Sequence, residues 1–362
     1  MPLSDTRPQL TDDPSPPTAP AVGRRPALTV VSREVELIVN GRASGTAGGD
    51  VVARATAALQ AAGARVRVNV TADEAELEAV VRAADGRRLV LAGGDGSIHA
   101  LANLDLPQLP AAALLPAGRA NNIARALGVP VDWEAAAELA VRGRPAAVDA
   151  LRVVTPQRAL FAVEGVSAGF HAAARHRYDG TNSADLGAGL RALATELRHF
   201  RSRRVALRAD GVPMFDGPAA QVFLSNLPYF GFGFHVDPVA DPADGRLEAI
   251  VLEAATRREV VRMLASARDG RHLRRDGVTW SRAARAHLSE PIALVADAQP
   301  LGVTTAVVTV AAGRLRLVAG ETRPASAPVP AARRRFDARM PVPIRARVAA
   351  ALPNPITQEA RP

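Results

Sequence analysis

The sequence predicts an α/β nucleotide-binding domain with a parallel sheet, followed by a β-rich domain built as an antiparallel sandwich. Short apolar runs alternate with helical stretches over residues 33–145, and shorter β-rich runs fill residues 146–320. Two of the early apolar runs are followed directly by glycine-bearing turns. The 362 residues, of which 48% are hydrophobic, are enough for two cores.

The first domain is predicted from apolar runs separated by helical stretches, a pattern typical of βαβ units and a parallel sheet. The expected strands are residues 35–40, 65–70 and 88–92. The expected helices are residues 49–62, 73–83, 121–127 and 132–141, the last with Asp132 as its N-cap. Residues 143–145 are the expected hinge between the domains.

The second domain is predicted from a run of shorter apolar stretches with few helical segments between them. The expected strands are residues 147–154, 160–166, 205–209, 219–225, 247–252, 292–296, 304–310 and 314–318. Helices are expected at residues 186–200 and 257–267.

Both ends of the chain have the composition of disordered segments. Residues 1–32 are rich in Pro, Thr, Asp and Ser, and residues 321–362 are rich in Pro, Ala and Arg. The tail has two interpretations, a solvated segment or a basic anchor for an anionic lipid surface.

The first glycine turn follows the apolar run at residues 89–92 and reads Gly93-Gly94-Asp95-Gly96-Ser97. Glycines let a backbone approach a polyanion closely, and the first amides of a following helix favour phosphate. Asp95 is unexpected in such a loop unless it holds a metal, accepts a proton or binds a sugar. The alternative is an ordinary Asp-Gly turn.

The second glycine turn, at residues 116–122, follows the small apolar run at residues 111–115. It contains Gly118, Arg119 and Asn121 and leads into a short predicted helix. Ligands of open parallel sheets bind at the carboxyl ends of the strands, where both turns would lie. Asn121 could cap the helix or contact a nucleotide.

These turns resemble the diacylglycerol kinase catalytic-domain family, which includes bacterial lipid kinases and sphingosine kinases and shares a superfold with NAD kinase. The family's GGDGT turn is matched by residues 93–97. Its P-x-G-T-x-N-D-x-A-R stretch is matched by Pro116, Gly118, Asn121, Ala124 and Arg125, and its N-P-x-S-G stretch by Asn40, Ser44 and Gly45. The resemblance extends from about residue 35 to residue 318.

The resemblance implies an ATP-dependent lipid kinase that transfers the γ-phosphate to a lipid hydroxyl, most often that of diacylglycerol, with ATP and Mg²⁺ as cofactors. Asp95 or Asp297 would accept the hydroxyl proton. Asp241 and Asp244 would hold a structural Mg²⁺, and the alternative is that turn chemistry alone accounts for them. The residues expected to bind ATP are Asn40, Ser44, Gly45, Gly93, Gly94, Gly96, Ser97, Gly118, Arg119 and Asn121.

Several positions depart from the family pattern, and Ser97, which stands for the threonine of the GGDGT turn, keeps the hydroxyl. Arg119 stands for a threonine, Ala100 and Gln299 stand for glutamates, and Asn122 stands for an aspartate. Arg119 could pair with phosphate or block the pocket. The departures leave open a catalytically weak pseudokinase that binds nucleotide or lipid, and NAD kinase is a further alternative.

The amino-acid composition limits the kinds of catalytic chemistry and the kinds of partner that the protein can have. All 45 basic residues are arginines, which excludes a P-loop lysine and a Schiff base. The net charge of +9 favours anionic partners, while the sequence shows no dedicated nucleic-acid motif. No apolar run reaches a membrane-spanning length. We expect a cytoplasmic protein with a lipid substrate, and the sequence is compatible with peripheral contact at the inner membrane surface and with a homodimer.

Two further features carry expectations. His99 is expected to point away from the glycine turn and to play no catalytic part. Residues 229–234 concentrate aromatic and glycine residues, which indicates core packing or, alternatively, a cleft for a lipid acyl chain.

Overall fold

A computed structural model describes residues 34–41, 50–177, 186–231, 233–267 and 270–320. The predicted leader (1–32) and tail (321–362) therefore lie outside the described residues. The first part of the fold comprises β1 (Glu34–Asn40), α1 (Asp50–Ala61), β2 (Arg65–Thr71), α2 (Glu74–Arg82), β3 (Arg88–Gly93), α3 (Asp95–Asn103), β4 (Ala112–Pro116), α4 (Asn122–Ala126) and α5 (Trp133–Arg142).

The second part is richer in strands. It comprises β5 (Pro145–Val154), β6 (Ala159–Ala162), β7 (Gly165–Gly169), α6 (Phe170–Arg177), α7 (Leu186–Arg198), β8 (Arg203–Ala209), β9 (Val212–Ala219), β10 (Gln221–Ser225), β11 (Leu247–Leu252), α8 (Arg257–Ala267), a 3₁₀ helix (Arg271–Arg274), β12 (Val278–Ala283), β13 (Arg285–Ala296) and β14 (Gln299–Val318).

The first domain is the predicted parallel sheet, with strand order β2-β1-β3-β4. Every residue of β3 and β4 is buried, as continuous apolar runs in a parallel sheet require. Asp73 and Asp132 begin α2 and α5, because the carboxylate of each accepts a hydrogen bond from a backbone N–H in the first turn.

The second domain is β-rich, as predicted, and its strands pair mainly antiparallel. Several details differ from the prediction. Residues 160–166 form parts of two strands, and residues 304–310 and 314–318 lie in one strand, β14. The prediction missed α6, β9 and β12, because the Pro and Gly of β9 and the polar residues of β12 interrupt the apolar alternation.

The two domains share one connected sheet through β14. Leu317 on β14 pairs in parallel with Ala112 on β4, while β5 runs antiparallel to β14. Leu315 and Val318 accordingly belong to the core of the first domain. The last residues of β14 thus pack in the first domain. The boundary between residues 145 and 146 therefore does not assign every core residue to one domain.

Arg314 on β14 fastens the end of α3. Its guanidinium donates hydrogen bonds of 2.9–3.2 Å to the carbonyl oxygens of Ala102, Leu104 and Leu106, and it lies 4.5 Å from the ring centroid of Phe161. Ala102 lies in the last turn of α3, and Leu104 and Leu106 follow the helix, so the arginine caps the C-terminal end of α3 and the turn after it.

We expect Arg314→Met to lower the free energy of unfolding by roughly 1.5–3 kcal/mol, because hydrogen bonds from a charged donor are lost. Urea denaturation measures this loss. Arg316→Met on the same strand is the control, since Arg316 is exposed. Equal unfolding midpoints for the two variants would contradict the capping role.

No helix within the described ranges combines the length and the apolar character needed to cross a bilayer.

Candidate active site

The two glycine turns meet at one edge of the parallel sheet, as the sequence predicts. Gly93 at the end of β3 lies in register with Pro116 at the end of β4, and the Ala117 N–H donates to the Gly93 carbonyl at 2.9 Å. A Cβ on Gly118 would lie 2.5 Å from the Cα of Gly94. Only glycine permits so close a backbone approach.

Asn121 closes the second turn. Its backbone is left-handed, with φ of 47°, and its side-chain amide both accepts from Gly118 N–H at 3.0 Å and donates to Gly118 O at 2.8 Å. The side chain therefore shapes the turn and does not cap α4, which corrects one of its two expected roles. Arg119, at the tip of this turn, is exposed.

Asp95 supplies the side-chain cap of α4 that was expected of Asn121. Its two carboxylate oxygens accept hydrogen bonds from the backbone N–H groups of Asn122, at 3.1 Å, and Ile123, at 2.8 Å. One side chain thus ties the first turn to the second. Burial and the charge of Asp297 raise the pKa of Asp95, although the backbone N–H groups counteract them.

Asp297 lies in the turn between β13 and β14, with a left-handed φ of 49°. Oδ1 accepts from the backbone N–H groups of Glu164 and Gly165, at 2.8 and 3.1 Å. Oδ2 accepts from Val163 N–H and contacts His99 Nδ1, both at 2.8 Å. Four partners occupy the four acceptor sites of this carboxylate.

His99 lies on the same face of α3 as Asp95, because residues four apart in a helix share a face. The ring of His99 pairs with Asp297, so it contacts one of the two candidate proton acceptors, and its expected lack of a catalytic part stays a prediction. Burial lowers the pKa of His99, but the hydrogen bond and charge of Asp297 outweigh it, and the net shift is upward. The partners are 198 residues apart in sequence, so no local pattern could reveal the pair.

Glu164 is a third carboxyl group that the sequence did not suggest. It is 7% exposed, and its Oε2 accepts from the Asn122 side-chain amide at 2.9 Å. The same amide donates to the Gly231 carbonyl at 2.7 Å. Burial raises the pKa of Glu164 well above its usual range, and the charges of Asp95 and Asp297 add to the effect. Glu164 was missed because it lay inside a predicted strand.

We expect Glu164→Gln to stabilise the protein at alkaline pH. Above its ordinary pKa of 4.5, the unfolded chain releases a proton that the folded protein retains, so stability falls as pH rises. The neutral amide removes this penalty. Thermal unfolding at about pH 8 should show the variant above the wild type, with the difference vanishing near pH 4. Parallel curves across this range would contradict the assignment.

A cavity of about 130 Å³ borders the first turn at the carboxyl ends of β1, β2 and β3. Its lining includes Asn40 and Ser97, two residues expected to bind ATP, and also Ala100. The small side chain at position 100 thus faces space beside the glycine turn. Ser44 and Gly45 lie outside the described residues.

Asp241 and Asp244 lie in the turn before β11. Asp241 accepts from the Ala243 N–H at 3.0 Å, and Asp244 accepts from the Arg246 N–H at 2.9 Å and pairs with Arg282. Within the described ranges, no group of three or more Asp, Glu or His is arranged to hold a metal ion. The metal-binding role of these two residues stays a prediction.

The aromatic segment that begins at Tyr229 covers one side of the site. Phe230 is buried and packs with Phe223 and Met263, as the core-packing interpretation expects. The Arg125 guanidinium lies 5.1 Å from the ring centroid of Tyr229. Arg125 therefore faces this segment.

Comparison with known proteins matches two parts of the chain to two family models. The model of the diacylglycerol kinase catalytic domain matches residues 34–153, and that of the YegS C-terminal NAD kinase beta sandwich-like domain matches residues 164–319. A crystal structure of a putative diacylglycerol kinase from Bacillus anthracis str. Sterne has a TM-score of 0.63 at 19% identity, covering 80% of this chain and 97% of that one. This likeness confirms the fold.

Proteins of similar sequence indicate to which family the chain belongs. A probable lipid kinase YegS-like of Stenotrophomonas maltophilia (strain K279a) is 30% identical over 60% of this chain and 72% of that protein. A diacylglycerol kinase of Mycobacterium tuberculosis (strain ATCC 25618 / H37Rv) is 26% identical over 56% of this chain and 67% of that protein. The match to the YegS-like relative of Enterobacter sp. (strain 638), 36% identical over 32% of this chain, spans only 40% of that relative. The chain belongs to the diacylglycerol kinase catalytic-domain family and is related to the YegS-like lipid kinases.

Proposed function

We propose that the protein transfers the γ-phosphate of ATP to a lipid hydroxyl, with diacylglycerol or a related lipid as the acceptor. The contact between Gly94 and Gly118 carries the proposal, because it holds two glycine turns together at the carboxyl edge of a parallel sheet. Family membership supports a lipid as the acceptor.

The first domain supplies the phosphate site. The turn between β3 and α3 offers backbone N–H groups and the positive end of a helix dipole to the triphosphate. The helix α4 offers fewer backbone N–H groups to a phosphate, since Asp95 already accepts hydrogen bonds from its first two amides. The exposed Arg119 can add a cation to a terminal phosphate, and guanidinium groups bind phosphate in bidentate fashion.

Asp95 is the better placed of the two candidate proton acceptors. Each of its oxygens accepts one backbone hydrogen bond and keeps an acceptor site, whereas four partners surround Asp297. As the lipid oxygen bonds to the γ-phosphorus, ADP leaves with the electron pair of the broken bond. Asp95 takes the hydroxyl proton, and Asp297 remains a fixed carboxylate that orients the turn before β7.

Mg²⁺ fits this site as a complex with ATP and not as an ion held by a cluster of protein ligands, since the described ranges contain no such cluster. Kinase sites commonly receive Mg²⁺ on the substrate phosphates, where it neutralises charge.

The test is transfer of labelled γ-phosphate from Mg²⁺-ATP to a panel of acceptors containing diacylglycerol, sphingosine, phosphatidylglycerol and NAD. We expect label in one or more of the lipids and none in NAD. Label in NAD alone would establish a NAD kinase. ATP binding without transfer to any acceptor would establish the pseudokinase, for which Ala100 and Gln299 are the first positions to restore.

A further inference from the structure

The helix α8 and the following 3₁₀ helix carry a cluster of exposed arginines. We refer to these as the arginine face: Arg257, Arg258, Arg262, Arg271, Arg274 and Arg275. The described residues between 257 and 277 include only two acids, Glu259 and Asp276. Glu259 is engaged at the start of α8, where its carboxylate accepts the backbone N–H groups of Ala255 and Thr256. The surface potential of this region is therefore positive.

The arginine face is concave. A depression of about 400 Å³ is lined by Arg262, Ala265, Ser266, Arg271 and Arg275. Three guanidinium groups around one depression supply the charged hydrogen-bond donors that phosphate groups of lipid headgroups accept. Val261, which precedes Arg262 in α8, is 47% exposed. An apolar side chain among arginines suits the boundary between lipid headgroups and acyl chains.

The inner side of the same two helices contacts the wall of the active site. Met263 on α8 and Leu273 on the 3₁₀ helix pack in one cluster with Phe230 and Phe234. Gly231, which follows Phe230, reaches the site, because its carbonyl accepts from the Asn122 amide. A partner held on the arginine face would therefore lie on the other side of the aromatic segment from the three carboxyl groups.

We propose that the arginine face docks the protein onto an anionic phospholipid bilayer. A membrane fits better than a nucleic acid, because the only ring-bearing residue of these two helices in the described ranges is the buried His272. Proteins that hold single-stranded nucleic acid use exposed rings for base stacking. A protein docked in this way would meet its lipid acceptor in the bilayer. This effect on catalysis rests on the proposed function.

Vesicle sedimentation of the full chain tests the surface directly. The vesicles are phosphatidylcholine with or without phosphatidylglycerol, and the variant is Arg262→Gln/Arg271→Gln/Arg275→Gln. The control is Arg142→Gln/Arg152→Gln/Arg316→Gln, which removes three exposed arginines from elsewhere. We expect the variant to lose roughly 100-fold in partitioning onto anionic vesicles. The control should match the wild type, whose binding should weaken with salt.

An assay of phosphate transfer distinguishes a failure of the docking proposal from a failure of the proposed function. The variant should phosphorylate a short-chain, water-soluble acceptor as the wild type does, and should lose activity on lipid embedded in anionic vesicles. Equal vesicle binding by wild type and variant would overturn the proposal, as would an equal loss in the control or binding to RNA in place of vesicles. A wild type that binds vesicles and phosphorylates nothing would overturn the proposed function alone.

Discussion

Replacing Gly118 by alanine should weaken ATP binding by roughly 10- to 100-fold, which corresponds to the ~1.4–3 kcal/mol that overpacking with a backbone shift costs. The new Cβ would lie 2.5 Å from Gly94 Cα and 2.7 Å from Asn121 Oδ1, so the two turns must separate. Calorimetry with Mg²⁺-ATP measures the loss.

Gly96→Ala is the matched control for the stability of the turn. Gly96 lies in α3, and a Cβ at this position meets no atom within 4 Å. Alanine should raise stability by about 0.5–1 kcal/mol, because it lowers the backbone entropy of the unfolded chain. If Gly118→Ala binds ATP as tightly as the wild type, the glycine contact is not part of the nucleotide site.

Replacing Asp95 by asparagine should lower kcat about 10²- to 10⁴-fold, the usual contribution of a positioned proton acceptor. The amide cannot take the hydroxyl proton, and its single oxygen can serve only one of the two α4 amides that Asp95 binds. Stability should change by about 1 kcal/mol or less, because the neutral amide loses one hydrogen bond but also removes the cost of burying the Asp95 charge. The assay is phosphate transfer to lipid, with unfolding followed in parallel.

Asp132→Asn provides the comparison for this effect. Asp132 accepts the Ala135 N–H at the start of α5, just as Asp95 accepts amides of α4, but Asp132 is exposed. Asparagine caps helices as well as aspartate, so both activity and stability should persist. A kcat for Asp95→Asn within tenfold of the wild type would show that another group accepts the proton.

The sequence reveals the first domain well because its signals are local. The glycine turns follow continuous apolar runs, and buried parallel strands require such runs. Asp73 and Asp132 begin their helices through hydrogen bonds to amides three residues ahead, which can be read directly from a short stretch.

The interior of the site could not be predicted in the same way. His99 and Asp297 are 198 residues apart, and Asn122 and Glu164 are 42 residues apart. Such pairs form only after the β6–β7 region and the β13–β14 turn pack against α3 and α4. The cap of α4 is another example. Asp95 belongs to the first glycine turn, but its carboxylate accepts a backbone N–H of the helix that follows the second glycine turn.

The central claim is that the triphosphate of ATP lies against the two glycine turns. Amide hydrogen exchange of the full chain, with and without Mg²⁺-ATP, tests it most directly. We expect nucleotide to slow exchange at residues 93–97 and 116–121, while the strands β8 and β9 stay unchanged. Unaltered exchange at both turns in the presence of bound ATP would contradict the account.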